Sequence, residues 1–155
     1  MSESPIIGLA PRRRRAIRLM LRCLAMLSLS AMGAVFIPHE WMNRIHERMG
    51  LGPLPDLPMI GYLARSLSLF YAWLGAIALY VSFDPDRHLG LIRQFALTGL
   101  AVGVIQTGID LLAPVPLWWT ASEGAFLFAY FGGLFWLSRT KIAFPHSQTV
   151  QSRQQ

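Results

Sequence analysis

Four long apolar stretches, separated by short polar segments, dominate this chain of 155 residues. They cover residues 19–37, 59–83, 92–113 and 115–138. Each is close to the ~20 apolar residues that a helix needs to cross the hydrocarbon core of a bilayer. Because hydrocarbon cannot satisfy free backbone groups, such stretches cross it as helices. The pattern predicts an all-α integral membrane protein in which residues 17–140 form one domain, a four-helix bundle.

A short amphipathic segment follows the first apolar stretch. Residues 39–49 place charged side chains on one helical face and apolar side chains on the other. The apolar face consists of Trp41, Met42, Ile45 and Met49. A helix divided in this way lies in the plane of the membrane interface. We therefore expect a short helix in the outer interface, ended by Gly50 and Gly52 and followed by a proline-rich link.

Two tight connections organise the remaining spans. Residues 84–88 join the second span to the third, and residues 114–116 join the third to the fourth. Connections this short link antiparallel neighbours. The second and third spans are therefore predicted to pack as an antiparallel hairpin.

Composition and charge agree with a membrane location. Hydrophobic residues make up 54% of the chain and charged residues 14%, against about 25% charged in soluble domains. The net charge of +6 comes from basic residues at the ends of the spans. The positive-inside rule then predicts a membrane protein with both termini in the cytoplasm. The inside set is Arg12, Arg13, Arg14, Arg15, Arg18, Arg87, Arg93, Arg139, Lys141 and Arg153, and the outside set is Arg44 and Arg48.

The two terminal segments carry their own expectations. Residues 1–16 are predicted to be a basic cytoplasmic arm whose run from Arg12 to Arg15 contacts anionic headgroups. Residues 141–155 are predicted to be a disordered cytoplasmic tail. The basic start also fits a cleavable signal, including a twin-Arg export signal, although the apolar stretch behind it is longer than such signals use. Because no aromatic residues are interleaved with the arginines, no nucleic-acid partner is expected.

Motifs for metal or cofactor chemistry are not found in the sequence. Cys23 is the single cysteine, so the chain cannot form an internal disulfide or a thiolate metal site. His39 and His46 are seven residues apart, which separates them by ~10 Å on a helix, too far to share a metal ion. No phosphate loop, nucleophile elbow or zinc motif is present. We expect no cofactor, no metal and no catalytic residue.

Small residues recur at a spacing of four inside three spans. Lipid gives helices no hydrophobic reason to associate, so small side chains that allow close backbone approach mark the packing faces. Gly99 and Gly103 also fit a contact between two copies of the chain. The predicted packing residues are Ala64, Ser68, Ala72, Ala76, Gly99, Gly103, Ala121, Ala125, Ala129 and Gly133.

A polar cluster is predicted near the outer ends of the spans. A charged side chain inside a span costs about 2.5–3.5 kcal/mol, so Arg65, Asp110 and Glu123 need partners or water. Arg65 and Asp110 lie equally far from the turn between the second and third spans, which predicts equal depth. Counting around the last turn gives Gln106 and Glu123 nearly the same depth. The four residues are therefore predicted to form one membrane-embedded cluster.

Three interpretations of this cluster stay open. The first is a structural salt bridge between Arg65 and Asp110, with Gln106 and Glu123 satisfying spare donors. The second is a solvated pocket open to the outside, in which an acid changes protonation or Arg65 binds an anion. In the third, Glu123 contacts another subunit.

The span count, the size and the polar residues within the spans, from Leu19 to Ser138, resemble small bacterial four-span membrane proteins grouped as DoxX-like. Many of those proteins have no known function, so the resemblance implies no site residue. The segment from Met59 to Ser68 also resembles stretches common in bacterial membrane proteins. The chain is similar in size to small multidrug exporters, but their essential glutamate is in the first span, whereas Glu123 is in the fourth.

These observations favour a non-enzymatic helper or structural subunit of a membrane complex. The alternative is a homo-oligomeric transporter, proton-coupled or anion-linked. An intramembrane enzyme ranks third, because no nucleophile and base occur together. The expected partners are the lipid bilayer and either a second copy of the chain or another membrane protein.

Overall fold

The computed structural model describes residues 9–113 and 115–139, which form five α-helices connected by short loops. No strand occurs in these residues, so the predicted all-helical class is confirmed. The helices are α1 (Pro11–Val35), α2 (His39–Arg48), α3 (Pro58–Phe83), α4 (Leu89–Leu112) and α5 (Leu117–Ser138).

Local sequence explains where several helices begin and end. Proline occupies the first turn of both α1 and α3, where its missing N–H costs no helical hydrogen bond. Gly50 and Gly52 follow α2 with φ of 76° and 80°, a conformation that favours glycine. Because α1 begins at Pro11, the run from Arg12 to Arg15 lies in its first turns and not in a separate arm. The predicted tail, residues 141–155, lies outside the described residues.

Three helices, α1, α3 and α4, are long and apolar enough to cross a membrane. The fourth predicted span, α5, is not among them. Its 22 residues include the polar side chains of Ser122 and Glu123. The described chain therefore fits a membrane protein with three helices apolar enough to span the membrane, and the fourth span stays a prediction.

The long helices pack as two pairs and do not form the predicted four-helix bundle. α1 runs along α3, α4 runs along α5, and a smaller contact joins α1 to α5. α3 and α4 approach each other closely at isolated points at most, so the predicted hairpin between the second and third spans is wrong. Bulky side chains separate them, leaving a small apolar cavity of about 90 Å³ whose lining includes Leu74, Ile77, Leu91 and Phe95.

Small residues determine which helices pair. A Cβ atom on Gly75 would lie 2.9 Å from Ser28 Cβ and 3.0 Å from the Ala25 carbonyl oxygen, so the backbones of α3 and α1 nearly touch. Gly99 of α4 faces the ring of Phe131 on α5, with no room for a larger residue. Each close contact uses a glycine at the interface, as expected where lipid is the solvent.

The two pairs meet at one end of the molecule, which we call the basic end: the start of α1, the α3–α4 turn and the end of α5. Asp86 in that turn accepts the Leu9 N–H at 3.0 Å and pairs with Arg14 at 2.5 Å. Arg13 donates to the Arg139 carbonyl at 2.6 Å. The buried core also lies there and contains Ile17, Leu21, Val81, Ile92, Ala96 and Leu134.

Candidate functional site: a crevice between the helix pairs

Away from the basic end, the two helix pairs enclose a crevice of about 440 Å³. All four long helices line it. Most of the lining is apolar, as in Leu27 of α1, Leu74 of α3, Val102 of α4 and Phe126 of α5. This volume is in the range of small-molecule pockets, about 300–1,000 Å³. The crevice is larger than the apolar cavity between α3 and α4, which has about 90 Å³.

Two polar side chains of the predicted cluster, Gln106 and Glu123, line this crevice. Gln106 projects from α4 and Glu123 from α5, and both are half-buried. Their common location agrees with the similar depth predicted from the short α4–α5 connection. The crevice therefore combines an extended apolar lining with a carboxyl and a carboxamide group.

Each of these two side chains has a hydrogen-bond partner one turn away on its own helix. Gln106 Nε2 donates to Asp110 Oδ1 at 3.0 Å. Trp119 Nε1 donates to Glu123 Oε2 at 2.9 Å. One hydrogen of the Gln106 amide is thereby used, and its carbonyl oxygen remains available to a ligand. Gln106 and Glu123 thus each present an acceptor oxygen to the crevice.

Asp110 lies deeper in the protein than its neighbours in the cluster. Its exposure is 7%. Oδ1 accepts from Gln106, and Oδ2 has no hydrogen-bond partner in the described part of the chain. An unpaired carboxyl oxygen in such a place is costly, so Asp110 depends on its single amide donor.

Arg65 is separate from the other three cluster residues. It is exposed on α3, and its guanidinium folds back over Gly61, where an added Cβ would lie 3.5 Å from Arg65 Nη1. No ion pair joins Arg65 to Asp110 among the described residues, so the predicted salt bridge is wrong. That salt bridge requires α3 to pack along α4, and these two helices do not pack along each other. Arginine near a helix end can instead extend its charged group toward the interface.

The predicted small-residue faces are partly used within the chain. Ala72, Gly99 and Gly103 are buried, whereas Ala64, Ser68 and Gly133 are half-buried. The four exposed members are Ala76, Ala121, Ala125 and Ala129. In α5 the buried face is instead the one that carries Thr120, Gly124, Phe131, Leu134 and Ser138.

Two packing glycines were not singled out from the sequence. Gly75, and not the neighbouring Ala76, makes the closest approach to α1. Gly124 faces Thr107 of α4, whose Oγ1 would lie 3.2 Å from an added Cβ. Both are single glycines without a partner glycine at a spacing of four, so a search for repeated spacing passes over them.

The amphipathic helix α2 forms as predicted and is fastened to the link that follows it. Asn43 Oδ1 accepts the Leu54 N–H at 2.6 Å, and His46 Nδ1 lies 2.7 Å from the Gly52 carbonyl oxygen. Trp41 and Ile45 on its apolar face are 61% and 45% exposed. An apolar face that the protein itself leaves uncovered fits a helix lying on lipid.

Outside the crevice, the described part of the chain contains no cluster of acidic and metal-ligating residues that could hold a metal ion. In residues 9–113 and 115–139, no group of three His, Cys, Asp or Glu side chains is arranged to hold a metal ion. Near α2, away from the basic end, His39 and Asp56 come within 3.7 Å of each other, but the Asp56 side chain is 98% exposed. The crevice is therefore the candidate site with the most polar chemistry enclosed in an apolar setting.

Comparisons of the chain with protein-family models, with curated proteins and with solved structures found no match. The resemblance to DoxX-like membrane proteins stays a prediction. The candidate site is consequently argued from the geometry and chemistry of the chain itself.

Proposed function

We propose that this chain is a multi-pass protein of a bacterial inner membrane, with both termini in the cytoplasm. The three apolar helices support insertion. In this proposal α5 is the fourth span: its 22 residues, at ~1.5 Å each, match a hydrocarbon core of about 30 Å. The start of α1 and the end of α5 lie together at the basic end, which an even number of spans requires. Exposed Arg12 and Arg15 then face anionic headgroups.

The proposed role is a non-enzymatic helper or structural subunit of a membrane complex. One observation carries it: the alanines of α5 at a spacing of four, Ala121, Ala125 and Ala129, are exposed. A stripe of this kind permits close approach of another helix.

A bulky substitution in the α5 stripe tests this role. In a Cys23→Ser background, Ala125→Leu should release a partner that the parent retains in mild detergent, detected by mass spectrometry of the purified complex. Ala76→Leu is the matched control, since Ala76 is also an exposed alanine of a long helix but lies on α3. If the parent carries no protein partner and forms no oligomer, or if Ala125→Leu retains it, the subunit role is rejected.

Transport is the second candidate, and the position of Glu123 in the crevice favours it. An ionisable residue within a span marks proton or substrate pathways in many transporters. Glu123→Gln should fold normally and lose proton-coupled flux in vesicles. Unchanged flux in this variant, or no flux in the parent, would reject transport. Because the crevice belongs to one chain, this candidate needs a homo-oligomer to complete a pathway.

A further inference from the structure

We propose that the crevice binds a lipophilic ammonium compound, with the apolar chain between the helix pairs and the ammonium group at Glu123 and Gln106. Neither the subunit role nor the transport role is needed for this binding. The ligand class follows from the shape of the crevice, from the groups at its polar part and from the charges that line it.

The shape favours an apolar chain. The crevice separates two helix pairs that diverge from the basic end, and it is partly open at the protein surface, so a molecule dissolved in the bilayer can enter from the side. Leu27, Leu74 and Phe126 line it from three different helices. An unfilled space of about 440 Å³ would forfeit dispersion contacts along all of these walls. A hydrocarbon chain restores them.

The polar groups favour a head that donates hydrogen bonds. Gln106 gives one amide N–H to Asp110, and its carbonyl oxygen is available to a ligand. Glu123 accepts from Trp119 through Oε2, and its Oε1 has no hydrogen-bond partner among the described residues. Neither of these two oxygens is both buried and unpaired. Asp110 Oδ2, in contrast, is buried and has no hydrogen-bond partner in the described part of the chain. Two reachable acceptors on facing helices suit one head with several N–H donors.

Charge selects an ammonium over a hydroxyl group. No lysine or arginine lines the crevice in the described part of the chain, whereas Glu123 does, and Asp110 lies one turn from Gln106. Hydrogen bonds between a cation and a carboxylate are about twice as strong as those between neutral groups. A phosphate or carboxylate head would meet the carboxylate of Glu123 and no lysine or arginine in the described lining. A primary amine carried on an apolar chain therefore matches the site.

This chemistry has two sources, the ethanolamine lipids of the membrane and soluble lipophilic amines that partition into it. Tryptophan fluorescence can detect a ligand from either source, because the indole N–H of Trp119 donates a hydrogen bond to Glu123. An ammonium group that engages the same carboxylate changes the surroundings of that indole. Trp119→Phe identifies which part of the total tryptophan emission belongs to this residue.

The test uses the full-length protein in phosphatidylcholine nanodiscs, whose headgroups carry no N–H donor. Hexadecylamine is titrated while tryptophan fluorescence is recorded, with hexadecanol as the neutral control of equal chain length. We expect saturable binding of one amine per chain, at least tenfold weaker for Glu123→Gln and unchanged for Glu40→Gln, which alters an exposed acid of α2. Nanodiscs of phosphatidylethanolamine should compete if the lipid is a natural ligand, and should leave amine binding unchanged if the site takes only soluble amines.

A second variant tests the apolar part of the crevice without touching its acid. Val102→Phe fills the crevice from α4 and should abolish the saturable response while far-UV circular dichroism stays that of the parent. The proposal is overturned if Val102→Phe or Glu123→Gln binds hexadecylamine like the parent, if hexadecanol binds equally well, or if the amine only partitions without saturation. Loss of a copurifying partner in Ala125→Leu is measured separately, so failure of the subunit role leaves this test intact.

Discussion

The two ends of the molecule differ in how closely their helices are held together. At the basic end, four helices converge on buried aliphatic residues, and Asp86 connects the start of α1 to the α3–α4 turn. At the other end the helix pairs separate, and the crevice residues Gln106 and Glu123 bond to partners on their own helices. Closure at one end holds the pairs in register, which allows the crevice to stay open at the other.

The aromatic residues repeat this contrast. At the basic end, arginines stack on rings: Arg13 lies 5.5 Å from the ring centre of Trp136, and Arg139 lies 4.7 Å from that of Phe135. In the crevice region, Trp119 uses its N–H for Glu123 and stacks edge-on with Trp118. Arginines stack on rings at the basic end, whereas Glu123 lines the crevice with no lysine or arginine in the described part of that lining. The proposed ammonium ligand therefore suits the crevice better than the basic end.

The largest effect is expected from wedging one helix pair apart. Gly75→Leu forces side-chain atoms into the backbone of α1, so we expect destabilisation of about 3 kcal/mol or more and little folded protein. Gly33→Leu is the control, because a Cβ on Gly33 meets nothing within 4 Å. Thermal melting followed by size-exclusion chromatography measures both. Equal melting temperatures would show that α1 and α3 do not form the close pair described here.

The next effect concerns the core of the basic end. Leu134 is fully buried, and Leu134→Ala should cost about 2 kcal/mol, the low end of the range for such cavities, because lipid reduces the transfer contribution. Leu111→Ala removes the same atoms from a side chain that is 65% exposed and should change stability little. Reversible unfolding in mixed micelles compares them. Similar losses at both positions would remove the distinction between a closed and an open end.

A smaller effect is expected at the polar contacts of the same end. Asp86→Asn keeps an acceptor for the Leu9 N–H but loses the charge opposite Arg14. Because both side chains are partly exposed, we expect a loss of only about 1 kcal/mol. Asp56→Asn, at a fully solvated ion pair, is the control. A larger loss for Asp56→Asn than for Asp86→Asn would contradict the assignment of the basic end as the fastened one.

The smallest effect concerns Arg65. Since its guanidinium lies over its own helix and has no acid partner among the described residues, Arg65→Ala should change stability by less than about 0.5 kcal/mol. Asp110→Ala should cost more, because it leaves the Gln106 amide unpaired. The charge swap Arg65→Asp with Asp110→Arg should rescue nothing. Rescue by the swap would restore the salt bridge expected from the sequence and bring α3 against α4.

The sequence was sufficient for the helices and insufficient for their pairing. Apolar length and proline or glycine positions predicted α1, α3, α4 and α5 to within a few residues at most boundaries, apart from the earlier start of α1 at Pro11. A short connection predicts that the two helices it joins pack together, yet the α3–α4 turn joins helices that do not pack along each other. Which helices pair depends on where a single glycine meets a backbone, as Gly75 does, and repeated spacing does not reveal that.

The candidate site was predicted only in part, because the sequence does not reveal which helices pair. Depth along a helix follows from residue counting, and Gln106 and Glu123 line the same crevice. Rotation and separation of helices do not follow from counting, so Arg65 was wrongly paired with Asp110. The crevice itself could not be predicted, because it results from the divergence of two pairs and not from any motif.

The most direct test of this account is the reactivity of a cysteine inside the crevice. In a Cys23→Ser background in mild detergent, Val102→Cys, at a position 54% exposed, should react with a lipophilic maleimide almost as fast as Leu112→Cys, at a position 91% exposed. Ile92→Cys, at 1% exposure in the core of the basic end, should stay unlabelled. If Val102→Cys is as protected as Ile92→Cys, the four helices form a closed bundle and the crevice does not exist.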